Sequence, residues 1–354
     1  MSLEPEPLAT AEALELFRSL KLVHLAASGD DGPLLRTVHP IVFEGELYFH
    51  GATRGEKMEL LGQPAMLTCE DVLATIPSSW IHPERACPAT TYFYSAHARG
   101  TLAAVDDAGV KAAVLQQMMD DYQPEGHYRP ITAGDPMYVA ALRGTAVVKL
   151  ADAKIAGRRE VDQHRPREVR QSVMRQLWTR GQGNDLRAID AMIDARPIQL
   201  PDFLAGPSGE RLAVAPTPAD LEGAVSLLVE HAYWYDENVR EVATRAHRGS
   251  CAWVVARVGD EVVGTARAVG DNARFAYVMD VCVRPESRGR GLATRLMALL
   301  LDHPAIRQCQ RVELHTRDAT RVYERLGFGP LVDPNWRVAM RLVRSSPGSM
   351  PTPG

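Results

Sequence analysis

Five cysteines in 354 residues form no paired metal spacing and no even disulfide framework, which excludes a disulfide scaffold and a structural zinc site. A surplus of one charge is also missing. Forty Lys and Arg face 44 Asp and Glu, a net charge of −4 that gives no electrostatic footprint for nucleic acid. No apolar run approaches a membrane span, and Met1 to Leu20 lacks the basic region and apolar core of a signal peptide. A cytoplasmic protein with reduced thiols is the expectation. The Gly-Lys-Ser/Thr of a Walker loop is absent, as are the third glycine and distal acid of a dinucleotide fingerprint. No internal repeat is visible.

What is there describes an ordinary globular chain, 45% hydrophobic and 24% charged, long enough for two domains. The clearest boundary is Arg196 to Asp220, where Pro197, Pro201, Pro207, Pro216 and Pro218 flank a Gly-Pro-Ser-Gly centre. We expect an N-terminal domain over 1–196, a semi-rigid linker over 197–212, a C-terminal domain over 213–344 and a disordered tail over 345–354. The first domain reads as mainly β. Helices are expected at Ala11–Leu20, Glu56–Gly62, Val110–Tyr122 and Pro166–Arg180. Strands are expected at Leu22–Ala27, Leu34–Phe43, Glu46–His50, Ala65–Glu70, Thr91–Val105 and Met137–Leu150, the second and third of these forming a hairpin. Many strands around few helices predict a small barrel with flanking helices.

The most informative stretch is Arg288-Gly289-Arg290-Gly291-Leu292-Ala293. It follows a β-branched and aromatic run, Phe275 to Val283, and precedes Leu292, Leu296, Leu299 and Leu300 at helical spacing. Glycines at such a junction let backbone N–H groups approach an anion, and the helix N-terminus adds partial positive charge. This R-x-x-G-x-A turn after Asp280-Val281-Cys282-Val283 resembles the acetyl-coenzyme A signature of the GNAT N-acetyltransferase superfamily. Some twenty residues on, Leu314-His315-Thr316-Arg317-Asp318-Ala319 leads into Val322-Tyr323-Glu324-Arg325-Leu326-Gly327-Phe328, which is similar to the family's second landmark. The resemblance implies an α+β fold with a central mixed sheet and an acetyl-CoA-dependent N-acetyltransferase acting on a small amine by direct transfer. It implies that Val281, Cys282 and Val283 bond the pantetheine arm, and that Arg288, Gly289, Arg290, Gly291, Ala293 and Thr294 wrap the pyrophosphate. By the same resemblance Tyr323 is the general acid for the departing thiolate, a role that suits a phenol near pKa 10.

The general base stays open among Asp280, Glu313, His315 and a water relay, with Asp280 as the working choice. Asp318 reads as a helix cap, and Cys282 as a buried strand thiol rather than a nucleophile. His231 to Asn238 gathers aromatics and carboxylates. Trp234 and Glu237 are therefore candidate substrate residues for a cationic amine, with core aromatics and a capping Asp as the other reading. No metal site is expected.

In the first domain, Arg36-Thr37-Val38 and Tyr48 to Lys57 resemble the nitroimidazole-resistance branch of the flavin-binding split barrels related to pyridoxamine-phosphate oxidase. Pro77-Ser78-Ser79-Trp80, Tyr92 to Gly100 and Gln163-His164-Arg165-Pro166 are similar to the PaiB-type flavin-binding regulators. The resemblance implies FMN held by Arg36, His50, Gly51, Thr53 and Lys57, and a homodimer through the barrel. Haem on His39 or His50 is the alternative cofactor. Two roles follow for the barrel: an oxidoreductase fused to the acetyltransferase, or a ligand-sensing or dimerisation module without turnover. The PaiB-type likeness also suggests a regulator, although no basic helix-turn-helix is evident.

Overall fold

The computed structural model describes residues 6–29, 32–196 and 200–330. The first half is an antiparallel barrel-like sheet. Its strands are β1 (Glu6–Leu8), β2 (Val23–Gly29), β3 (Gly32–Val38), β4 (Ile41–Phe43), β5 (Glu46–Ala52), β6 (Pro64–Ile76), β7 (Thr90–Ala104) and β8 (Thr145–Glu160). They run in the order β3-β2-β6-β7-β8-β5-β4, with β1 also on β8. Helix α1 (Thr10–Ser19) lays Ala13, Leu16 and Phe17 onto a core that includes Leu25, Leu47, Phe49, Leu67 and Leu150. A short α2 (Glu56–Glu59) follows β5. Helices α3 (Ala108–Tyr122) and α4 (Pro136–Gly144) build a second cluster with Ile41, Tyr48 and Val147.

Two expected strands are corrected. The run Leu34–Phe43 breaks at His39-Pro40, where proline offers no N–H to a ladder. Gly32–Val38 therefore pairs with Val23–Gly29, and only Ile41–Phe43 forms the hairpin with β5. Its turn residues Glu44 (φ 49°) and Gly45 (φ 78°) both have positive φ, as a two-residue hairpin turn requires. Met137–Leu150 is not one strand: Asp135 accepts the Met137 N–H at 3.0 Å and starts helix α4 with Pro136 in its first turn, and β8 begins only at Thr145. Tyr-Val-Ala-Ala-Leu suits either structure by hydropathy, and the Asp-Pro start decides it.

The outer ends of β6, β7 and β8 reach beyond the barrel to helices α5 (Arg167–Arg180) and α6 (Asp185–Ala195). Leu73, Ile76, Tyr92 and Val161 share one apolar cluster with Val173, Met174, Leu177, Ile189 and Met192, and that cluster continues into the second half of the chain. Polar bonds tie the layer to both sides. Arg180 reaches the Thr75 carbonyl at 2.8 Å and Arg187 pairs with Asp71 at 2.5 Å. The Trp178 indole donates to Asp302 at 2.6 Å, and Asp190 accepts the Ala215 N–H at 2.9 Å.

The second half holds β9 (Arg211–Ala213), α7 (Pro218–His231), α8 (Arg240–Arg248), β10 (Ala252–Val258), β11 (Glu261–Gly270), β12 (Phe275–Val283), α9 (Leu292–Leu301), β13 (Arg311–Glu313) and α10 (Thr320–Glu324). Sheet order is β13-β12-β11-β10-β9, antiparallel except for the parallel β12–β13 pair. This is the mixed sheet expected. Leu227 and Leu228 of α7 pack on one face with Val255 and Cys282, while Leu296 and Met297 of α9 cover the other with Val254 and Ala266. The span expected as a linker is packed where it is described. Phe203 lies against Trp178, Leu204 is buried, and Arg211–Ala213 pairs with Val255–Arg257. Its prolines shape an entry to an edge strand rather than a free spacer. Residues 197–199 and 331–354, which include the expected tail, lie outside the described residues. No described helix is long and apolar enough to cross a membrane.

Candidate active site

The site begins where two strands part. β12 and β13 pair only at Phe275–Arg311, Ala276–Val312 and Tyr277–Glu313. β13 then ends, and the chain turns through Leu314 to Asp318 into α10, while β12 runs on to Val283. Beyond Tyr277 that edge of β12 has no strand partner among the described residues, so its backbone groups can bond an extended ligand. On its other edge β12 carries a bulge. Thr265 pairs with Cys282 but Arg267 with Met279, leaving Asp280 and Val281 opposite Ala266. Asp280 absorbs the kink at φ 53°, a left-handed conformation that costs a non-glycine residue about 1–3 kcal/mol.

Side-chain bonds hold the kink. Asp280 accepts from Arg267 Nε at 2.5 Å, the Tyr235 hydroxyl at 3.0 Å and Trp234 Nε1 at 3.2 Å, and the Arg267–Asp280 pair is almost fully buried. This arrangement argues against Asp280 as general base. Both carboxylate oxygens are committed, and protonation would strand a buried guanidinium. Sequence reading missed Arg267, although an arginine inside the apolar run of a central strand signals a buried partner. Tyr235, next to that carboxylate, has its phenol raised to about 12 by burial and by Asp280.

A cleft of about 270 Å³ lies in the parting, lined by Tyr233, Trp234, Tyr277, His315, Arg317 and Tyr323 among others. Tyr323, on α10, is 9% exposed and packs its ring against Phe328. Burial, then Asp318 and Tyr233, hold its phenol above the ordinary value, so it stays protonated and able to donate. The Tyr277 hydroxyl meets His315 Nδ1 at 2.5 Å. Tyr277 was not foreseen, because a tyrosine in a β-rich run reads as packing. Trp234 and Tyr233 stand edge to face, 46% and 55% exposed, with the Arg317 guanidinium 3.4 Å from the Tyr233 ring centroid. Of the carboxylates expected beside them, Asp236 accepts the Asn238 N–H at 2.9 Å, and the side chain of Glu237 lies outside the described residues. Asp318 does not cap α10, since the Ala319 N–H goes to Thr316 Oγ1. The Cys282 thiol is buried and pushed up chiefly by that burial, which suits packing.

The glycine turn lies at the end of β12. Gly289 (φ 76°) and Gly291 (φ 89°) take conformations other residues avoid, and nothing lies within 4 Å of where a Cβ would stand on either. Arg288 folds back to donate Nε to the Val283 carbonyl at 2.8 Å, while Arg290 is exposed. Ala293 and Thr294 form the first turn of α9, and the first helical bond runs from Arg295 N–H to Gly291. The N–H groups before it are donors that a helix leaves free. Glycine space and an exposed cation together fit a pyrophosphate.

In the barrel, β5 and α2 bring His50, Gly51, Thr53 and Lys57 together. The Lys57 ammonium lies over the backbone of Gly51, in space that a Cβ would fill. His50 Nδ1 is buried without a partner. Burial, then His39 and Lys57, hold this imidazole below its usual value and therefore neutral. Thr53 is exposed on the same loop. These residues fit an anionic group. Arg36 does not join them freely, because its guanidinium pairs with Glu56. The His39 and His50 rings are 5.9 Å apart between centroids.

Residues 221–328 match the family model described as Acetyltransferase (GNAT) family, and residues 9–159 match that described as Pyridoxamine 5'-phosphate oxidase. Among solved structures, the chain is similar to a candidate acetyltransferase of the gnat family from Xanthomonas campestris pv. campestris. The identity is 29%, covering 37% of this chain and 94% of that one, with a TM-score of 0.33. It is similar to the FAD and heme binding protein of Mycobacterium smegmatis at 16% identity, covering 43% and 71% with a TM-score of 0.36. A flavocytochrome, Anf3 of Azotobacter vinelandii, is similar at 20% identity, covering 44% and 69% with a TM-score of 0.36. The chain therefore joins a pyridoxamine 5'-phosphate oxidase-like domain at residues 9–159 to a GNAT acetyltransferase domain at residues 221–328.

Proposed function

We propose that the C-terminal domain transfers the acetyl group of acetyl-CoA directly to the nitrogen of a small amine. The observation that carries this reading is the parting of β12 from β13 with Tyr323 inside it and the Gly289–Gly291 turn at the end of the same strand. The edge over Val281 to Val283, without a strand partner among the described residues, bonds the pantetheine arm, with the Val283 carbonyl already accepting from Arg288. The first-turn N–H groups and Arg290 receive the pyrophosphate, joined by the remaining guanidinium nitrogens of Arg288. The amine enters past the exposed rings of Trp234 and Tyr233, with Arg317 stacked on Tyr233 at the rim of the path. Its nitrogen attacks the thioester carbonyl carbon, the C–S bond breaks, and Tyr323 gives its proton to the departing sulfur. Purified full-length protein is expected to bind acetyl-CoA by calorimetry and to release free thiol when an amine is added. Undetectable binding, unaltered by Arg288→Ala, would sink the proposal.

The barrel domain binds FMN in this reading and forms a homodimer in the cytoplasm. Lys57, Gly51, His50 and Thr53 hold the flavin phosphate, with Arg36 joining once it leaves Glu56. The flavin, when bound, supplies electron-transfer chemistry; the chain's own part is to bind and orient it. The Arg36–Glu56 pair favours a second reading, in which the barrel senses a ligand or dimerises without turnover. A visible absorption spectrum separates flavin, haem and neither, and reduction by NAD(P)H separates an oxidoreductase from a sensor. Light scattering tests the dimer.

A further inference from the structure

We infer that His315 is the general base of the acetyl transfer, held in its working tautomer by Tyr277. This rests on the acetyltransferase reading of the same cleft. A base is needed because an amine arrives mostly as an ammonium without a lone pair, and Asp280 has no free oxygen to take the proton. His315 lines the cleft with Tyr323 and bonds Tyr277 through Nδ1 at 2.5 Å, the rings standing edge to face at 75°. When Nδ1–H donates to the Tyr277 oxygen, Nε2 keeps its lone pair. The tautomer of an imidazole is fixed in this way by the bond its other nitrogen makes.

Two protons leave the nitrogen. The first passes from the ammonium to His315 Nε2 and then to water. The freed lone pair forms the C–N bond, and the adduct expels the thiolate, which takes the Tyr323 proton. The second nitrogen proton restores the phenol through solvent. One acetamide, one free thiol and one released proton result.

The charged neighbours of His315 are largely matched. Glu313 on its own segment lies 3.8 Å from Arg311 and Arg317 lies 3.7 Å from Asp318, while Asp280 is neutralised by Arg267. Tyr233, Tyr277 and Tyr323 are the other titratable groups around the cleft. Among the described residues lining this cleft none is a free carboxylate able to replace the imidazole; Glu324 of α10 lines the adjoining pocket with His315 and Tyr323.

The test uses the full chain with acetyl-CoA and three amines: tyramine, benzylamine and spermidine. His315 is exposed, so His315→Gln and His315→Ala should fold. Both are expected to lose about 10²-fold or more in kcat/KM at neutral pH with acetyl-CoA affinity unchanged. The deficit should shrink as pH rises and free amine appears, and added imidazole should restore part of the His315→Ala rate. Tyr277→Phe should lose about 10-fold, within the usual range for second contacts. A His315→Gln enzyme that keeps the wild-type rate at neutral pH overturns the inference. If the wild type binds acetyl-CoA but acetylates none of the amines, the acetyltransferase reading is what fails. Histidine ¹⁵N NMR decides the tautomer without turnover: protonation at Nδ1, lost in Tyr277→Phe, supports the dyad, and protonation at Nε2 overturns it.

Discussion

The two candidate sites differ in how far their charges are already matched. In the acetyltransferase cleft the buried Asp280 is met by Arg267, Tyr235 and Trp234, and the kink it occupies is held before any ligand arrives. In the barrel, Arg36 is spent on Glu56, while the neutral His50 leaves its buried Nδ1 without a hydrogen-bond partner and the Lys57 ammonium lies over the backbone of Gly51. The first arrangement is preorganised, so binding costs little rearrangement. In the proposed FMN reading the second must exchange a protein pair for a ligand pair, with the Glu56 carboxylate competing against the phosphate. The lesson is that a matching residue set does not make a matching site. What the neighbours have already claimed decides it.

Breaking the matched pair should have the largest effect. Arg267→Met leaves Asp280 charged, buried and unpaired, and is expected to cost about 3–5 kcal/mol by denaturant unfolding. Arg36→Met, at an exposed pair, should cost less than about 1 kcal/mol. Equal losses would abolish the contrast. On the rate side, Tyr323→Phe should lower kcat by about 10²-fold with acetyl-CoA affinity retained. Because its phenol is raised, the basic limb that Tyr323 sets should lie above the ordinary value near 10. Smaller again is an acid effect. Burial, helped by Arg307, pushes the His303 imidazole down from its ordinary 6.5 to about 4 and keeps it neutral above that. Its stabilising share is complete above pH 6.5 and is lost as pH falls toward 4, about 2 kcal/mol by pH 5. Urea unfolding at pH 7 and pH 5 measures it, and His303→Leu should flatten the difference. The smallest effect sharpens the barrel side: Glu56→Gln should tighten FMN binding several-fold, read by flavin fluorescence quenching. No change would mean that Arg36 takes no part.

The acetyltransferase half was legible because its signals are local. Phe275–Val283 is the strand expected, and the turn at Gly289 and Gly291 follows it. The hairpin of Ala252–Val258 and Glu261–Gly270 likewise turns on a local signal, the pair Gly259-Asp260. The setting of Asp280 was not legible for a physical reason: it depends on Arg267, which enters through a bulge that shifts the register by one. No periodicity in a single strand reports that shift. The barrel was less legible, since apolar runs such as Tyr138 to Leu142 suit a helix or a strand until their caps are weighed. The packing within the span expected as a linker is not legible from proline density, which reports what a segment cannot do; Leu204 and Leu212 report what it buries.

The α5–α6 layer has a consequence for the order in which the chain is made. Met174, Leu177 and Met192 leave the ribosome well before Met297 and Leu300, which share their apolar cluster. At about 5–20 residues per second, a gap of roughly a hundred residues leaves that face uncovered for about 5–20 s. The nascent barrel therefore carries a sticky flank until its fusion partner emerges. A ribosome stalled after Ala195 has cleared the exit tunnel but before α9 is made should present a stronger chaperone client than the finished chain.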